Sequence, residues 1–493
     1  MRDDGAPDQS GLCSVMFGPE FARVDQDLRE TTLTTPLSTV KDSAATMNTA
    51  ERKIFPLPLT PFEIYFYWDG TPEFPMFLEG AVHLTGQLHP ARFEQAIRSS
   101  LKQHPLFSAQ VQKQGKDLYW VESETGPTIE WLQAPLDLNT HDWGMPGDLL
   151  QGNQFRICVY SHAESTIVYY HCHHIYTDQA GMCQFLNDVF AHYATLQGEV
   201  ISASVPVNPD RIRDRASIIP LELPIGTLQI IWETIKAAAV WMVERPVPLE
   251  ARQTPGATRR FGKKTYRVPP ELTKQIKTDS KSKGCTVNDL LLSIFYPILA
   301  AWQMEQNKKT KRKHLRINIP VNMRWKGSED VPASNIVSYT FLTRQISSCL
   351  GNLNLLPGIH KEMKIIKEMQ VGFIMLDTLK FFHRIPGGIR SMTRKKSCLA
   401  SIVFSNMGVL GKYFTHGFSR TEEGRIRFGG LILDAMEWYV PCRNKTYLTL
   451  AVSHQADELL ISCQYDNQHL SEKDVDRFFH EFMNALNGTC PRH

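Results

Sequence analysis

Two adjacent histidines, His173 and His174, close the run Tyr-Tyr-His-Cys-His-His over residues 169–174, and a carboxylate, Asp178, follows four residues after the second. The run reads as a β-strand entering a turn. Neighbouring side chains on a strand point to opposite faces, so the two histidines cannot share one task. An imidazole at a strand-to-loop junction titrates near neutrality and suits removal of a proton from a hydroxyl or an amine. Asp178 would orient that ring or brace the loop. Two duller readings stay open at this point. Buried histidines often only pack, and His171 and His173, two apart on one strand face, could ligate a metal. A metal needs a third ligand, and no other His, Cys or Asp/Glu cluster offers one at recognisable spacing. No metal is therefore expected, and a zinc hydrolase built on this cluster is the weaker idea.

The elements that must position these residues follow from hydrophobic periodicity. Residues 77–84 read as a strand, and 90–104 as a helix with Phe93, Ala96, Ile97 and Leu101 apolar. Strands over 108–111, 118–121, 155–160 and 166–172 precede a helix over 181–196, which carries Met182, Phe185, Leu186, Val189 and Phe190 on one face. Residues 205–262 are proline-rich and irregular, a bridging segment. A second α/β segment begins at Lys263. Thr286-Val-Asn-Asp supplies capping residues for a helix with an apolar run over 290–302. Strands are expected over 315–321, 336–343, 400–405, 447–453 and 458–465. A final helix spans 471–486, with Ser471 as N-cap and Asp474 three residues on. Strands and helices alternate without a strict βαβ beat, so the fold class is α/β with mixed sheets and covering helices, in two unequal copies.

The bulk properties set the limits. At 493 residues the chain is too long for one core and long enough for two lobes: an N-terminal lobe over 55–204 and a C-terminal lobe over 263–493. It is 42% apolar and 21% charged, with a formal net charge of +3, so charge alone implies neither nucleic acid nor an acidic partner. Ten cysteines are scattered singly, which favours reduced thiols and a cytoplasmic location over a disulfide framework. Residues 1–54 lack the apolar core of a signal peptide and read as a disordered leader, or as an over-extended translation start with Met47 just ahead of the folded region. No stretch reaches 18 uncharged apolar residues, so no membrane span is expected. The nearest approach, 228–243, is broken by Glu233 and Lys236 and reads as a helix packed between lobes rather than an interfacial membrane helix.

Several motifs share one family likeness. His173-His174-x-x-x-Asp178 resembles the HHxxxDG motif of the condensation-domain superfamily of acyltransferases. That superfamily includes peptide-synthetase condensation domains, polyketide-associated acyltransferases, wax-ester synthases and alcohol acetyltransferases. Residues 86–111, including His104-Pro105-Leu106, resemble the opening strand, helix and strand of these proteins. Thr286-Val-Asn-Asp resembles their second-lobe helix, Pro320-Val-Asn-Met-Arg324 their central strand, and Phe404-Ser-Asn-Met-Gly408 their S-N-x-G strand end. Residues 459–470 resemble the closing strand, and the match runs in order from Phe55 to Leu486.

The resemblance implies two chloramphenicol-acetyltransferase-like lobes arranged as a V, with a tunnel between them. It implies that His174 is the general base, taking a proton from the acceptor as that group attacks a thioester carbonyl. No enzyme serine is then needed, in keeping with the absence of a G-x-S-x-G. His173, Asp178 and Arg324 become structural residues of the site, Asp178 pairing with Arg324. Gln179, Gly181, Ser405 and Asn406 become candidates to line the tunnel or the acceptor side. The family pattern has Gly directly after the Asp; here Gln179 stands there, and Gly181 comes two positions later. A Gln at that place narrows the acceptor side, donates to substrate, or marks a silent relative. The expected co-substrate is a coenzyme A or phosphopantetheine thioester, with an alcohol or amine acceptor and no tightly bound cofactor. Basic runs at 259–264, 308–316 and 394–396 are by default solvated; otherwise they meet coenzyme A phosphates, a carrier protein acting in trans, or an anionic membrane surface. Nucleic acid is not expected, and a monomer is. The alternative function is a catalytically silent module that binds carrier protein or lipid.

Overall fold

The computed structural model describes residues 53–144, 148–202, 204–217, 244–250, 259–306, 313–351, 354–368, 371–394 and 397–489. Along them, β1 (Leu57–Pro58) leads into α1 (Pro61–Asp69), β2 (Phe77–Thr85), α2 (Pro90–Gln103), β3 (Ala109–Gln114) and β4 (Asp117–Glu122). Then come β5 (Thr128–Leu132), β6 (Phe155–His162), β7 (Ser165–His173) and α3 (Gln179–Leu196). The second half supplies β8 (Phe261–Val268), α4 (Pro270–Ser282), α5 (Val287–Gln306), β9 (His314–Asn322), β10 (Val337–Gln345), α6 (Ile346–Gly351), α7 (Leu356–Glu368), α8 (Gly372–His383) and α9 (Gly388–Thr393). It ends with β11 (Ile402–Val409), β12 (Ser419–Arg420), β13 (Ile426–Phe428), β14 (Leu431–Tyr439), β15 (Leu448–Gln455), β16 (Glu458–Asp466) and α10 (Glu472–Thr489).

Two large mixed sheets carry the helices, as the alternation of elements predicts. One has the order β12-β13-β14-β2-β7-β6-β5, the other β10-β9-β11-β15-β16-β8, and a small sheet pairs β1, β4 and β3. Both large sheets combine antiparallel pairs with parallel ones, β5 with β6 in the first and β11 with β9 and β15 in the second. Each sheet buries its own apolar cluster. The first holds Val82, Val168, Phe185 and Phe190; the second holds Leu291, Phe295, Phe404 and Phe482.

The sheets do not follow the boundaries read along the chain. β12, β13 and β14 come from beyond residue 418, yet they complete the sheet of the N-terminal half, with Met436 of β14 opposite Val82 of β2. The first core also takes in Met323, Ile336, Phe373 and Met407. Strand pairing across some 350 residues leaves no local signal, so patterning assigns such strands to the lobe they follow in sequence.

Helix starts agree with their capping residues. Thr286 and Asp289 exchange hydrogen bonds of 3.0 and 3.2 Å ahead of α5, and Ser471 and Asp474 do the same ahead of α10 at 2.9 and 3.2 Å. α5 is the one described helix long and apolar enough to cross a membrane, but most of it is buried inside the second core. The bridging segment contains a 3₁₀ turn over Pro209–Ala216, whose Arg215 is buried against Glu63 of α1. The apolar run 228–243 lies outside the described residues, as does the leader apart from 53–54. The basic run 308–316 is described only from 313, and of 394–396 only Arg394 is described.

Candidate functional site

α1 forms the wall against which the histidine turn rests. Thr60 accepts from the Glu63 N–H at 3.2 Å, Glu63 accepts from the Thr60 N–H at 2.8 Å, and Pro61 opens the first turn. This box fixes the entry angle of a short helix whose residues are apolar nearly all round. Glu63 also takes hydrogen bonds from Trp120 and Arg215, so its carboxylate is paired although buried. One turn on, the Phe66 ring stacks on the His174 imidazole, centroids 4.2 Å apart and planes 17° from parallel.

β7 ends at His173, which sits opposite Phe77 of β2. His174 therefore belongs to the turn, and the turn rather than strand alternation separates the two imidazoles. The His174 N–H donates to the Met76 carbonyl at 2.7 Å. His173 accepts from the Ile175 N–H at Nδ1, 3.2 Å, and packs edge-on to Phe77. Burial among other imidazoles pushes His173 down to about 3, so it is a neutral packing residue of the turn. His171 is sandwiched between Phe77 and Trp143, at 4.1 and 4.6 Å, and burial likewise holds it well below the usual range. Among the described residues, no group of three His, Cys, Asp or Glu is placed to hold a metal.

His174 itself is buried, and its Nδ1 forms no well-made hydrogen bond. Burial lowers its pKa, partly offset by its own carbonyl, the Asp178 carboxylate and Asn335. The ring is thus held in the neutral form, the one that accepts a proton.

Asp178 is the N-cap of α3 and is fully engaged. Oδ1 accepts from the Gly181 N–H at 2.8 Å and Arg324 Nη2 at 2.9 Å; Oδ2 accepts from Arg324 Nη1 at 3.0 Å and the Ile336 N–H at 2.9 Å. The pairing with Arg324 is bidentate and joins the two halves of the chain, as the resemblance implies. Gly181 makes the approach possible. A Cβ there would lie 2.1 Å from Thr177 Oγ1 and 3.1 Å from both Arg324 Nη2 and the Ser334 nitrogen. The glycine allows close packing under the ion pair.

Gln179 has a partner of its own. It is buried, and its amide exchanges hydrogen bonds of 3.1 and 3.0 Å with the Tyr170 hydroxyl. Tyr170 in turn lies where Gly80 leaves room for its ring. The side chain that departs from the family motif thus satisfies a buried hydroxyl. Gln179→Gly is expected to lower stability by about 1–3 kcal/mol, read as a fall in melting temperature, with Gln179→Glu or Asn recovering part of it. An unchanged melting temperature would show that the pair contributes nothing.

Ser405 and Asn406 sit on β11 beside Ala451 and Val452 of β15. Asn406 accepts from the Gly408 N–H at 2.8 Å and reaches Asn288 of α5 at 3.3 Å. Among the described residues, no hydrogen bond or ring contact ties either one to the His174 turn, and Asn406 joins β11 to α5.

Three residues of the site lacked a sequence reading: Phe66, Asn335 and His416. Asn335 donates to the carbonyls of His174 and Ile175 at 2.7 and 2.9 Å. It belongs to a buried strap, residues 331–336, bound to the N-terminal half along its length. Gln184 donates to the Val331 carbonyl, the Ala333 N–H donates to His104 Nδ1, and the Ile336 N–H donates to Asp178. Because His104 Nδ1 accepts, its proton sits on Nε2, which donates to Asp188 at 2.9 Å. His416 meets the other Asp188 oxygen at 2.6 Å. Burial raises Asp188, but these two imidazoles outweigh it and hold the carboxyl below the usual range. The Thr60-Pro61-x-Glu63 box was a legible signal for the helix that carries Phe66; a lone Asn before a strand gives none.

Residues 75–310 match the model of the family described as Condensation domain. No curated protein sequence matches the chain. A trichothecene 15-O-acetyltransferase from Fusarium sporotrichioides superposes with a TM-score of 0.63 at 11% identity, over 87% of this chain and 94% of that one. The starter condensation domain of rhizomide synthetase, solved as a mutant with C8-CoA and Leu-SNAC, gives 0.59 at 15% identity, over 88% and 94%. The first condensation domain of the calcium-dependent antibiotic synthetase, solved with a substrate analogue, gives 0.60 at 12% identity, over 88% and 95%. At these identities the likeness is one of fold: mixed α/β, of the chloramphenicol-acetyltransferase-like condensation type.

Proposed function

We propose, from the match of residues 75–310 to the condensation-domain model and the shared fold, that the chain is an acyltransferase of the condensation-domain superfamily, carrying an acyl group from a thioester to an alcohol or amine, with His174 as general base. The observation that carries the reading is the state of His174: buried, held neutral, stacked on Phe66 and fixed through its backbone by Met76 and Asn335. A base so placed needs no rotamer search when an acceptor arrives. His174 takes the proton of the acceptor hydroxyl or amine as that atom bonds to the thioester carbon. The carbon–sulfur bond then breaks, and the leaving thiolate takes up a proton, giving an ester or amide and a free thiol. Asp178 does not relay the proton, since both its oxygens are engaged by Arg324 and two backbone N–H groups. It holds the turn that carries the base.

The donor is proposed to be a coenzyme A or phosphopantetheine thioester. The related starter condensation domain was solved with C8-CoA, which supports an acyl-coenzyme A among the first donors to try. A silent, ligand-binding module is the other reading. Its motive was Gln179, and the contact of Gln179 with Tyr170 gives that residue a structural reason unrelated to loss of activity. Incubating the protein with a panel of acyl-coenzyme A thioesters and alcohol or amine acceptors tests the proposal. Thiol release that depends on acceptor, with a product heavier by the acyl group in mass spectra, is expected. Thioester binding without transfer across the panel would favour the silent module.

A further inference from the structure

Apolar and basic side chains crowd one stretch of surface that the acyl-transfer reading does not use. Nine large apolar side chains stand exposed among the described residues, and three of them fall within twelve positions: Ile374 at 38%, Phe381 at 59% and Ile385 at 43%. Ile374 and Phe381, seven residues apart, share one face of α8, and Ile385 extends the row past the end of the helix. The row projects from a helix rather than lining a groove. Across residues 372–394 the cations are Lys380, Arg384, Arg390 and Arg394; the single acid, Asp377, pairs with Lys380 at 3.3 Å. Arg384, Arg390 and Arg394 are exposed.

A surface cavity of about 290 Å³ opens in the same stretch, lined by Gly387, Arg390, Ser391 and Arg394. Gly387 turns the chain between α8 and α9 with φ at +70°, and a Cβ there would meet nothing, which leaves the cavity open on that side. Arg390 is steadied by the Trp68 ring, 4.4 Å from its guanidinium. Two guanidinium groups and a hydroxyl around one cavity match the oxygens of a phosphate. A free phosphate would leave Phe381 and Ile385 in water, whereas a phosphate that heads a lipid brings an acyl layer for them to enter.

We propose that this face docks on an anionic phospholipid bilayer, with Phe381 and Ile385 entering the interface and a headgroup phosphate in the cavity of Arg390 and Arg394. α8 and α9 pack on α1, the helix whose Phe66 stacks on His174. Docking would therefore bring the histidine turn close to substrates dissolved in the membrane. That consequence rests on the acyl-transfer reading; the docking itself does not.

Sedimentation of the full chain with phosphatidylcholine vesicles, with and without phosphatidylserine, tests the proposal and needs no knowledge of the substrate. Binding is expected to the phosphatidylserine vesicles only. Arg390→Gln with Arg394→Gln should weaken it about 25-fold, roughly fivefold for each cation. Phe381→Asp should abolish it, and unchanged melting temperatures show that the variants fold. Absence of binding, equal binding to both vesicles, or binding that these variants leave intact would overturn the proposal. So would an arginine pair whose loss weakens coenzyme A or an acidic carrier protein while vesicle binding persists. Failure here with acyl transfer intact would leave the proposed function standing.

Discussion

His174→Ala lowers kcat by about 10²–10⁴-fold, the usual contribution of a positioned general base, while the protein stays folded. Loss of the imidazole also removes the ring stacked on Phe66, so some stability goes with it. His174→Gln keeps a polar side chain of similar reach and should separate the two effects: near-native melting with the rate still down. His173→Ala has the opposite profile. Its ring accepts the Ile175 N–H inside the turn and touches Phe77, so its loss costs stability more than chemistry. Steady-state rates beside thermal melts check both. Nearly full transfer activity in His174→Ala would place the base elsewhere, even with the fold assignment intact.

Removing either partner of the Asp178–Arg324 pair is the largest expected loss of stability, about 3–5 kcal/mol when an ion pair is fully buried. Arg324 keeps 19% of its side chain exposed and Asp178 keeps 7%, so the lower end of that range applies. The two substitutions should also differ. Asp178→Ala strands the Gly181 and Ile336 N–H groups and uncaps α3, whereas Arg324→Ala leaves Asp178 with those two donors. Asp178→Ala is therefore the worse of the two. In a double-mutant cycle followed by melting, the second substitution costs much less than it does alone. Strict additivity would show that the pair does not couple the two halves of the chain.

The order of elements and the chemistry-bearing turn were legible because both are local. Apolar periodicity marked α2 and α3, and Thr286 with Asp289, like Ser471 with Asp474, announced helix starts that the hydrogen bonds bear out. The Asp178–Arg324 pair was legible only through the resemblance, since the two lie 146 residues apart. α1 escaped the periodic reading because Pro61–Asp69 buries residues on several sides and shows no apolar stripe. Its capping box was the usable signal. The place of β14 was invisible: nothing in Leu431–Tyr439 says that its partner is β2. The hydrogen bond of Gln179 was not legible from the motif. Its partner Tyr170 sits nine residues earlier, on the strand before the turn, and only the folded chain brings the two together. Gly181 was noticed as a displaced glycine, while the crowding around it, from Thr177 first and then from Arg324 and Ser334, shows only in the folded chain.

The central claim is that a buried, neutral His174 accepts the acceptor's proton, and the pH dependence of kcat/KM tests it most directly. Burial lowers the His174 pKa from the ordinary 6.5, so the base form persists into mildly acid solution. His171 and His173 are lowered too, so the unfolded chain binds more protons than the folded one below 6.5, and stability falls as the pH drops through that range. Rates are therefore read only where melting shows the fold intact. The prediction is a profile that rises with pH on a single ionisation, reaches its plateau with a midpoint below 6.5, and collapses to a flat residual rate in His174→Ala. A midpoint at or above 6.5, or the same pH profile in His174→Ala as in the unaltered protein, would contradict it.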